Sequence, residues 1–221
     1  MKILQAQMAV FYKDQVNLDF DGLSYFFKKS IKEILNVTLE NAQSFGFLPK
    51  DAPAEIPRLQ LHSTDNKFRL QCSNLRCDFY YDHSTVDEKF DMNSFCSMIK
   101  SICDAHEKIN KKINRIGLVA IGFIDAENPN KYIADRFLNS ERIKKTEDLS
   151  DVSISYNRPL FNDNVQLNNI TTYNTGKSID GNEIILVKQV DINTSMEDDY
   201  SSHNNINVVI ETFRDKVSIP E

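Results

Sequence analysis

The sequence predicts an α+β fold: two similar β-α-β-β-β-α units with a mainly antiparallel sheet and with the helices packed on one side. Short segments of alternating apolar and polar residues, which are typical of strands, occur in both halves of the chain. Longer segments with apolar residues at spacings of three and four are typical of amphipathic helices. Both kinds of segment follow in the same order twice. We therefore predict a first unit over residues 1–113 and a second, closely packed on it, over 114–221.

The first unit begins with a strand and a helix. Apolar residues alternate up to Tyr12, and from Gly22 the period changes to that of a helix whose cap we assign to Asp21. Residues 37–54 contain glycine and prolines and are predicted to be an irregular connection. Three short strands then follow, because "STDN" and "SN" are turn sequences between apolar segments. The predicted elements are a strand over 2–12, a helix over 22–35, strands over 56–62, 67–72 and 75–81, and a helix over 91–113.

The second unit begins with a strand that is apolar almost throughout. The segment "RIGLVAIGFID", residues 115–125, predicts a central strand with both faces covered. Gly117 and Gly122 inside it predict close packing or a bulge. Pro129 suits the first turn of a helix, where its missing N–H does little harm. The remaining predicted elements are a helix over 129–138, strands within 151–160, 165–174 and 182–193, and a helix over 203–215.

The composition predicts a cytoplasmic globular protein. Hydrophobic residues make up 41% of the chain and charged residues 26%, which is ordinary for a folded domain. The net charge of -6 opposes binding to nucleic acid, because such binding neutralises phosphates with Lys and Arg. No apolar run reaches the length of a membrane span, and the N-terminal residues lack the pattern of a signal peptide. Four cysteines at core-like positions fit a reducing compartment.

The four cysteines raise the question of a metal site. Cys72 and Cys77 flank a predicted turn, and Cys96 and Cys103 lie on the apolar stripe of the helix that follows. A site of four thiolates between hairpin and helix is conceivable, yet neither pair has the C-x2-C spacing of a structural zinc knuckle. Free cysteine is also among the most buried residue types. We therefore predict core thiols and no bound metal or other cofactor.

Three residues are the candidates for catalysis. Asp82 and His83 are adjacent at a strand end, where an acid and a base could act together, and Asp191 closes another apolar strand. If these side chains converged in one cleft, they could serve a metal-dependent hydrolase or nuclease. The sequence contains no P-loop, no dinucleotide-binding glycine motif and no nucleophile elbow that would indicate a particular reaction.

The predicted elements use the core-forming residues and leave no group of chemically active residues over. The leading hypothesis is therefore a non-enzymatic accessory protein that binds another protein or a second copy of itself. Antiparallel sheets leave edge strands, and such edges can pair with a partner. The alternative is the hydrolase or nuclease. A third hypothesis is a module that binds a small molecule between the two units.

Four segments carry a resemblance to a known family. They are "STDNKFRLQ" at 63–71, "NRIGLVAIGFI" at 114–124, "VKQVDIN" at 187–193 and "NVVIETFRDKVSIPE" at 207–221. With these segments the chain resembles a sporadically distributed family of uncharacterised bacterial proteins, whose members share a serine-aspartate turn, an "RIGL" central strand and a closing helix. The resemblance implies a fold and a bacterial origin, and it implies no activity.

Overall fold

The computed structural model describes residues 1–13, 18–41, 52–83, 90–109, 111–138, 151–162, 165–178, 183–195 and 203–218. Its helices are α1 (Phe20–Leu35), α2 (Met92–Lys108), α3 (Pro129–Phe137) and α4 (His203–Ser218). Its strands are β1 (Lys2–Phe11), β2 (Leu39–Asn41), β3 (Leu59–Ser63), β4 (Phe68–Cys72), β5 (Arg76–Asp82), β6 (Arg115–Ile124), β7 (Ser153–Asn157), β8 (Leu160–Asn162), β9 (Val165–Lys177) and β10 (Ile184–Thr194).

The strands form one sheet whose centre is the β1–β6 pair. The strand order is β2-β3-β4-β5-β1-β6-β10-β9-β7, and β8 also pairs with β9. Every pair is antiparallel. Outward from β1 lie the other strands of the first predicted unit, and outward from β6 lie those of the second. That the halves are repeats of one unit stays a prediction, and so does the division after residue 113.

The main hydrophobic core lies on one face of this sheet. Alternate residues of the central strands point to that face, where Met8 lies opposite Phe79 on β5 and Leu118 on β6. Phe95 of α2 and Phe213 of α4 meet above this layer, with ring centroids 5.9 Å apart. The cluster extends from β2 to β9. Because burial of apolar surface is the dominant favourable term in folding, this layer joins both halves energetically.

Helix α3 covers the same face nearer to β7. Ile133 of α3, Tyr173 of β9 and Leu186 of β10 form a second, smaller buried cluster. Leu167 belongs to the main cluster, and it lies an even number of residues from Tyr173 on β9, so both point to one face. The α+β class, the antiparallel sheet and the packing of helices on one side are therefore confirmed.

We call the opposite face of the sheet the open face, because no helix of the described residues covers it. Val119, Ile121 and Phe123 of β6 point to it and are half-buried. Among the described residues no helix covers this side of β6, so the expectation that both faces are covered stays a prediction for the open face. The strand is central in the described sheet, with β1 on one side and β10 on the other.

Two short strands were not predicted. Residues 39–41 form β2 within a segment predicted to be irregular, because Leu39 pairs with Ser63 and its side chain is buried in the core. Residues 42–51 of that segment lie outside the described residues. After Pro159 the chain pairs with β9 again as β8, so the described residues of each half contain one strand more than the sequence indicated.

The helix ends also differ slightly from the prediction. The cap of α1 is Asp19, whose carboxylate accepts a hydrogen bond from the Gly22 N–H, and Asp21 lies in the first turn. Helix α2 ends at Lys108, although Ile113 beyond its end is buried as predicted. Among the described helices, none combines the length and the apolar character needed to cross a bilayer.

Gly122 lies where the start of β1 approaches β6. A bulge shifts the β1–β6 register between Ile3 and Gln5, and a Cβ at Gly122 would lie 2.2 Å from the Lys2 carbonyl oxygen. We expect Gly122→Ala to lower the free energy of unfolding by about 1–3 kcal/mol, because the backbone must shift to admit the methyl group. Urea denaturation followed by circular dichroism measures this change.

Gly117→Ala is the matched control on the same strand. A Cβ at Gly117 would meet only Asn193 Cβ, at 3.6 Å, which is an ordinary contact. The free energy of unfolding should stay the same or rise by up to about 1 kcal/mol, because alanine loses less backbone entropy on folding. Equal losses in the two variants would contradict the close approach at Gly122.

Candidate functional site

The open face across β4, β5, β1, β6 and β10 brings together charged side chains that are distant in sequence. Three arginines and three aspartates take part in its hydrogen bonds. We call them the open-face charge array: Arg69, Arg76, Asp78, Asp82, Arg115 and Asp191. They reach this face because they alternate along their strands with core residues.

Arg69 and Asp82 form a pair between β4 and β5. Arg69 donates through Nε and Nη2 to Asp82 Oδ2, at 3.0 and 2.8 Å, and Gln5 of β1 donates to the other carboxylate oxygen at 2.5 Å. The Arg69 guanidinium also lies 4.9 Å from the ring centroid of Tyr80, and burial raises the pKa of that tyrosine. These contacts fix Arg69 while 42% of its side chain stays exposed.

Phe11 lies between two further arginines. Arg76 of β5 and Arg115 of β6 are its direct neighbours in the sheet, and each guanidinium is 5.1 Å from the ring centroid. Arg76 also donates to both carboxylate oxygens of Asp78, which is buried, and this bonding raises the pKa of Arg76. A cation over an aromatic face is attracted by the ring quadrupole. Both arginines are thereby oriented by one aromatic ring.

Asparagines extend the array to β10 and β9. Arg115 donates to Asn193 Oδ1 at 3.1 Å, and the same oxygen accepts from Asn168 Nδ2 at 3.0 Å. The Asn193 amide in turn donates to Asp191 Oδ1 at 2.9 Å. A single asparagine therefore connects the cation of β6 with the carboxylate of β10. Because arginines and aspartates are equal in number, the formal charges of the array cancel.

Asp82, His83 and Asp191, the candidates for catalysis, do not share a cleft. Asp82 and Asp191 are both on the open face, but β1 and β6 lie between their strands, which are therefore about 14 Å apart. His83 follows Asp82 and points to the helix side, where it is buried with Tyr81 and Phe90 as aromatic neighbours. The acid and the base are thus divided by the sheet, and Asp191 lies within β10 rather than at its end.

The four cysteines are free and buried. Cys72 and Cys77 lie opposite each other on the β4–β5 hairpin, while Cys96 and Cys103 belong to α2. Burial raises the pKa of Cys77, Cys96 and Cys103. Among the described residues, no three His, Cys, Asp or Glu side chains are arranged to hold a metal ion.

A buried hydrogen-bond chain links the end of β1 to α2. His106 Nδ1 is 2.7 Å from the Ile102 carbonyl oxygen, and a carbonyl only accepts, so Nδ1 carries the hydrogen. The Tyr12 hydroxyl, 2.7 Å from Nε2, then donates to that nitrogen. The Tyr12 and His106 side chains are both buried, and each ring nitrogen of His106 has a hydrogen-bond partner within the protein. This geometry favours a structural role for His106.

A shallow cleft lies between α2 and α4, which belong to the two predicted units. Its volume is about 210 Å³. It is lined by Asn93, Cys96, Ser97, Lys100, Asn207, Ile210, Glu211 and Arg214. Sites for small molecules are usually larger and mostly apolar. This cleft alone therefore adds little to the hypothesis of a small-molecule module, although an adjoining cavity of about 550 Å³, lined by Phe90, Asp91, Met92, Asn93, Arg214 and Ser218, has a volume within the usual range.

The sequence contains a partial signal for the open-face charge array, although the array itself is not predicted from it. Arg76, Asp78, Tyr80 and Asp82 occupy every second position of one segment, which predicts that they share a face. The missing information was the pairing of β1 with both β5 and β6, because only that pairing brings Phe11 between two arginines.

A scan against protein-family models found no family that matches this chain, and a search of curated proteins found no match either. The resemblance to the sporadically distributed bacterial family therefore stays a prediction.

Tyr12→Phe tests the buried hydrogen-bond chain. We expect it to lower the free energy of unfolding by about 1–3 kcal/mol, because His106 Nε2 then lacks its donor in a buried site while the ring volume is kept. Chemical denaturation measures the loss. Tyr80→Phe on the open face serves as the control and should change the free energy by less than about 0.5 kcal/mol. Similar losses in both variants would argue against the assigned bond.

Thiol reactivity tests the interpretation of the cysteines. In the native protein at about pH 8 we expect slow reaction with a chromogenic disulfide reagent, because the thiols are buried and the thiolate is the reacting form. After unfolding in guanidinium, all four should react at once. The absorbance of the released thiolate gives the number of reacting groups in each state. Rapid reaction of any native thiol would contradict the structural role.

Proposed function

We propose that the protein is a non-enzymatic accessory component of the cytoplasm that binds another protein through the open-face charge array. The observation that carries this proposal is the fixed arrangement of Arg69, Arg76 and Arg115 on a sheet face without a described helix. Each guanidinium is held by a side-chain oxygen and by an aromatic ring.

The charge balance of the array favours a protein partner over nucleic acid. Nucleic-acid surfaces attract phosphates through an excess of cations, whereas the three arginines of this array are matched in number by three aspartates. A protein surface presents carboxylates, amides and apolar groups together. The exposed parts of Arg69 and Arg76 can donate hydrogen bonds to such carboxylates without loss of their internal bonds, because a guanidinium has five N–H donors.

The residue types and their rigidity also support a binding role. Arginine and aromatic residues are the types most enriched at the centres of protein interfaces. A side chain that is already held in one conformation loses less entropy when a partner binds. Beside the array, Val119, Ile121 and Phe123 provide half-buried apolar surface. A partner with apolar side chains surrounded by polar ones would match both parts of this face.

The cytoplasm is proposed because the four thiols are free. The resemblance to a bacterial family belongs to the same proposal and adds a bacterial origin to it.

Site-specific photocrosslinking in cells tests the proposed surface. Tyr80 on the open face and Tyr25 on α1, whose side chain is 61% exposed, would each be replaced by a photoreactive phenylalanine. We expect a discrete adduct from position 80 and none from position 25, because only position 80 lies on the open face, beside Arg69 of the array. Adding Arg69→Ala should reduce the yield of the adduct by about fivefold or more, the effect of losing an interface arginine that contributes strongly.

Two controls make the result decisive. Circular dichroism checks that Arg69→Ala leaves the fold intact, which we expect because Gln5 still donates to Asp82. Nuclease treatment before electrophoresis separates protein adducts from nucleic-acid adducts. The proposal fails if position 80 gives no adduct, if both positions give the same adducts, or if nuclease removes them.

A further inference from the structure

Strand β7 is an edge of the sheet, and its inner side is fully occupied by β9. Thr175 donates to the Val152 carbonyl oxygen, and the Arg158 N–H donates to the Asn169 carbonyl oxygen. In an antiparallel pair, the backbone groups of alternate residues point to the same neighbour. Even-numbered residues of β7 therefore face β9. Odd-numbered residues, which include Ser155 at the centre of the strand, turn their N–H and C=O groups outward.

Strand β7 itself lacks the features that usually prevent pairing with another chain, although Arg158 and Pro159 follow directly after it. Natural edge strands are often protected by charged side chains, proline or a bulge. The five residues of β7, "SISYN", contain no charge and no proline, and their register with β9 is regular. No other strand of the described residues pairs with the outer side of β7. At the opposite edge of the sheet, β2 is protected from such pairing, because it is only three residues long and carries the charged residue Glu40.

We propose that two copies of this chain form a dimer in which β7 pairs with β7 of the second copy. A twofold axis through Ser155 makes the pairing antiparallel and places Ser155 opposite itself. The outward backbone groups of Ser153, Ser155 and Asn157 then find partners in both copies. This surface is separate from the open-face charge array, so the proposal does not depend on the proposed function.

The side chains of β7 are self-complementary under this axis. Ile154 lies opposite Tyr156 of the second copy, and Tyr156 lies opposite Ile154 of the second copy. Pairs of an aromatic and a β-branched residue are among the favourable cross-strand pairs. Ser153 lies opposite Asn157, which is a polar pair. Displacing the register by one residue would move these side chains to opposite faces, so the sequence favours one register.

The second hydrophobic cluster gives an independent reason for a partner at this edge. Ile133, Tyr173 and Leu186 are completely buried there, but Ile154 and Tyr156 at its β7 side are only partly covered. Tyr156 packs on Phe137 of α3, with ring centroids 6.0 Å apart. The second copy would cover the exposed sides of both β7 residues with its own Ile154 and Tyr156. A second copy thus extends this small cluster across the twofold axis.

A charge exchange at Ser155 tests the dimer and its register together. Wild-type protein should be a dimer in native mass spectrometry and light scattering. Ser155→Lys and Ser155→Glu should each weaken the dimer by about tenfold or more, because like charges then face each other across the axis. Mixing the two variants, one of which carries a tag for a distinct mass, should restore dimers that contain one chain of each.

Two further variants separate loss of pairing from loss of folding. Ser97→Lys adds the same charge at an exposed position of α2 and should leave the dimer intact. Ser155→Pro removes an outward N–H and should give a folded monomer, because proline is tolerated where an edge N–H faces solvent. A monomeric wild type at every concentration overturns the proposal. Dimers that survive Ser155→Pro, or a lysine–glutamate mixture that stays monomeric, overturn the proposed interface.

Discussion

The pairing of β1 with β6 is the contact on which the rest of this structure depends. In the described sheet, strands β2 to β5 lie on the outer side of β1, and β10, β9 and β7 lie on the outer side of β6. The two groups are connected only through the β1–β6 pair. The register of this pair sets Met8 against Leu118 and Ala6 against Ala120 on the helix side. The same register aligns Phe11 with Arg115 on the open face. One set of backbone hydrogen bonds thereby determines both the centre of the core and the centre of the charged surface.

The two faces of the sheet are consequences of one alternation. Each strand that contributes an apolar residue to the core must present the next residue to the open face, because the side-chain period of a strand is two. In β5 the core residues Cys77 and Phe79 therefore require Asp78 to face the other way. Asp78 is buried even there, and its charge is tolerable because Arg76 donates to both of its oxygens. The Arg76–Asp78 pair therefore allows the β4–β5 hairpin to bury an aspartate on its open face.

Local pattern predicted the elements well, and long-range pairing decided what the pattern could not. The spacing of apolar residues identified all four helices, and turn residues identified the β3–β4 and β4–β5 hairpins. The local pattern missed β2, because three residues are too few to show a period. These residues form a strand only through their pairing with β3. The pattern placed Asp82 and His83 together because they are adjacent in sequence, whereas adjacent strand residues point to opposite faces. The full open-face charge array could not be predicted for a related reason: its members come from four strands, and β1, the first strand of the chain, lies between the second and third of them.

The central position of the N-terminal strand has a consequence for how the chain must fold. Residues of β1 pair with residues of β6 that lie more than a hundred positions later in the sequence. During synthesis, β1 can pair with β5 early, but its other edge has no partner until β6 has left the ribosome. Proteins dominated by such non-local pairings fold slowly, since the entropy of closing long loops is lost before the contacts form. Gln5 and Gln7 make the open-face side of β1 less apolar, and exposed apolar surface in partly folded chains is what promotes aggregation.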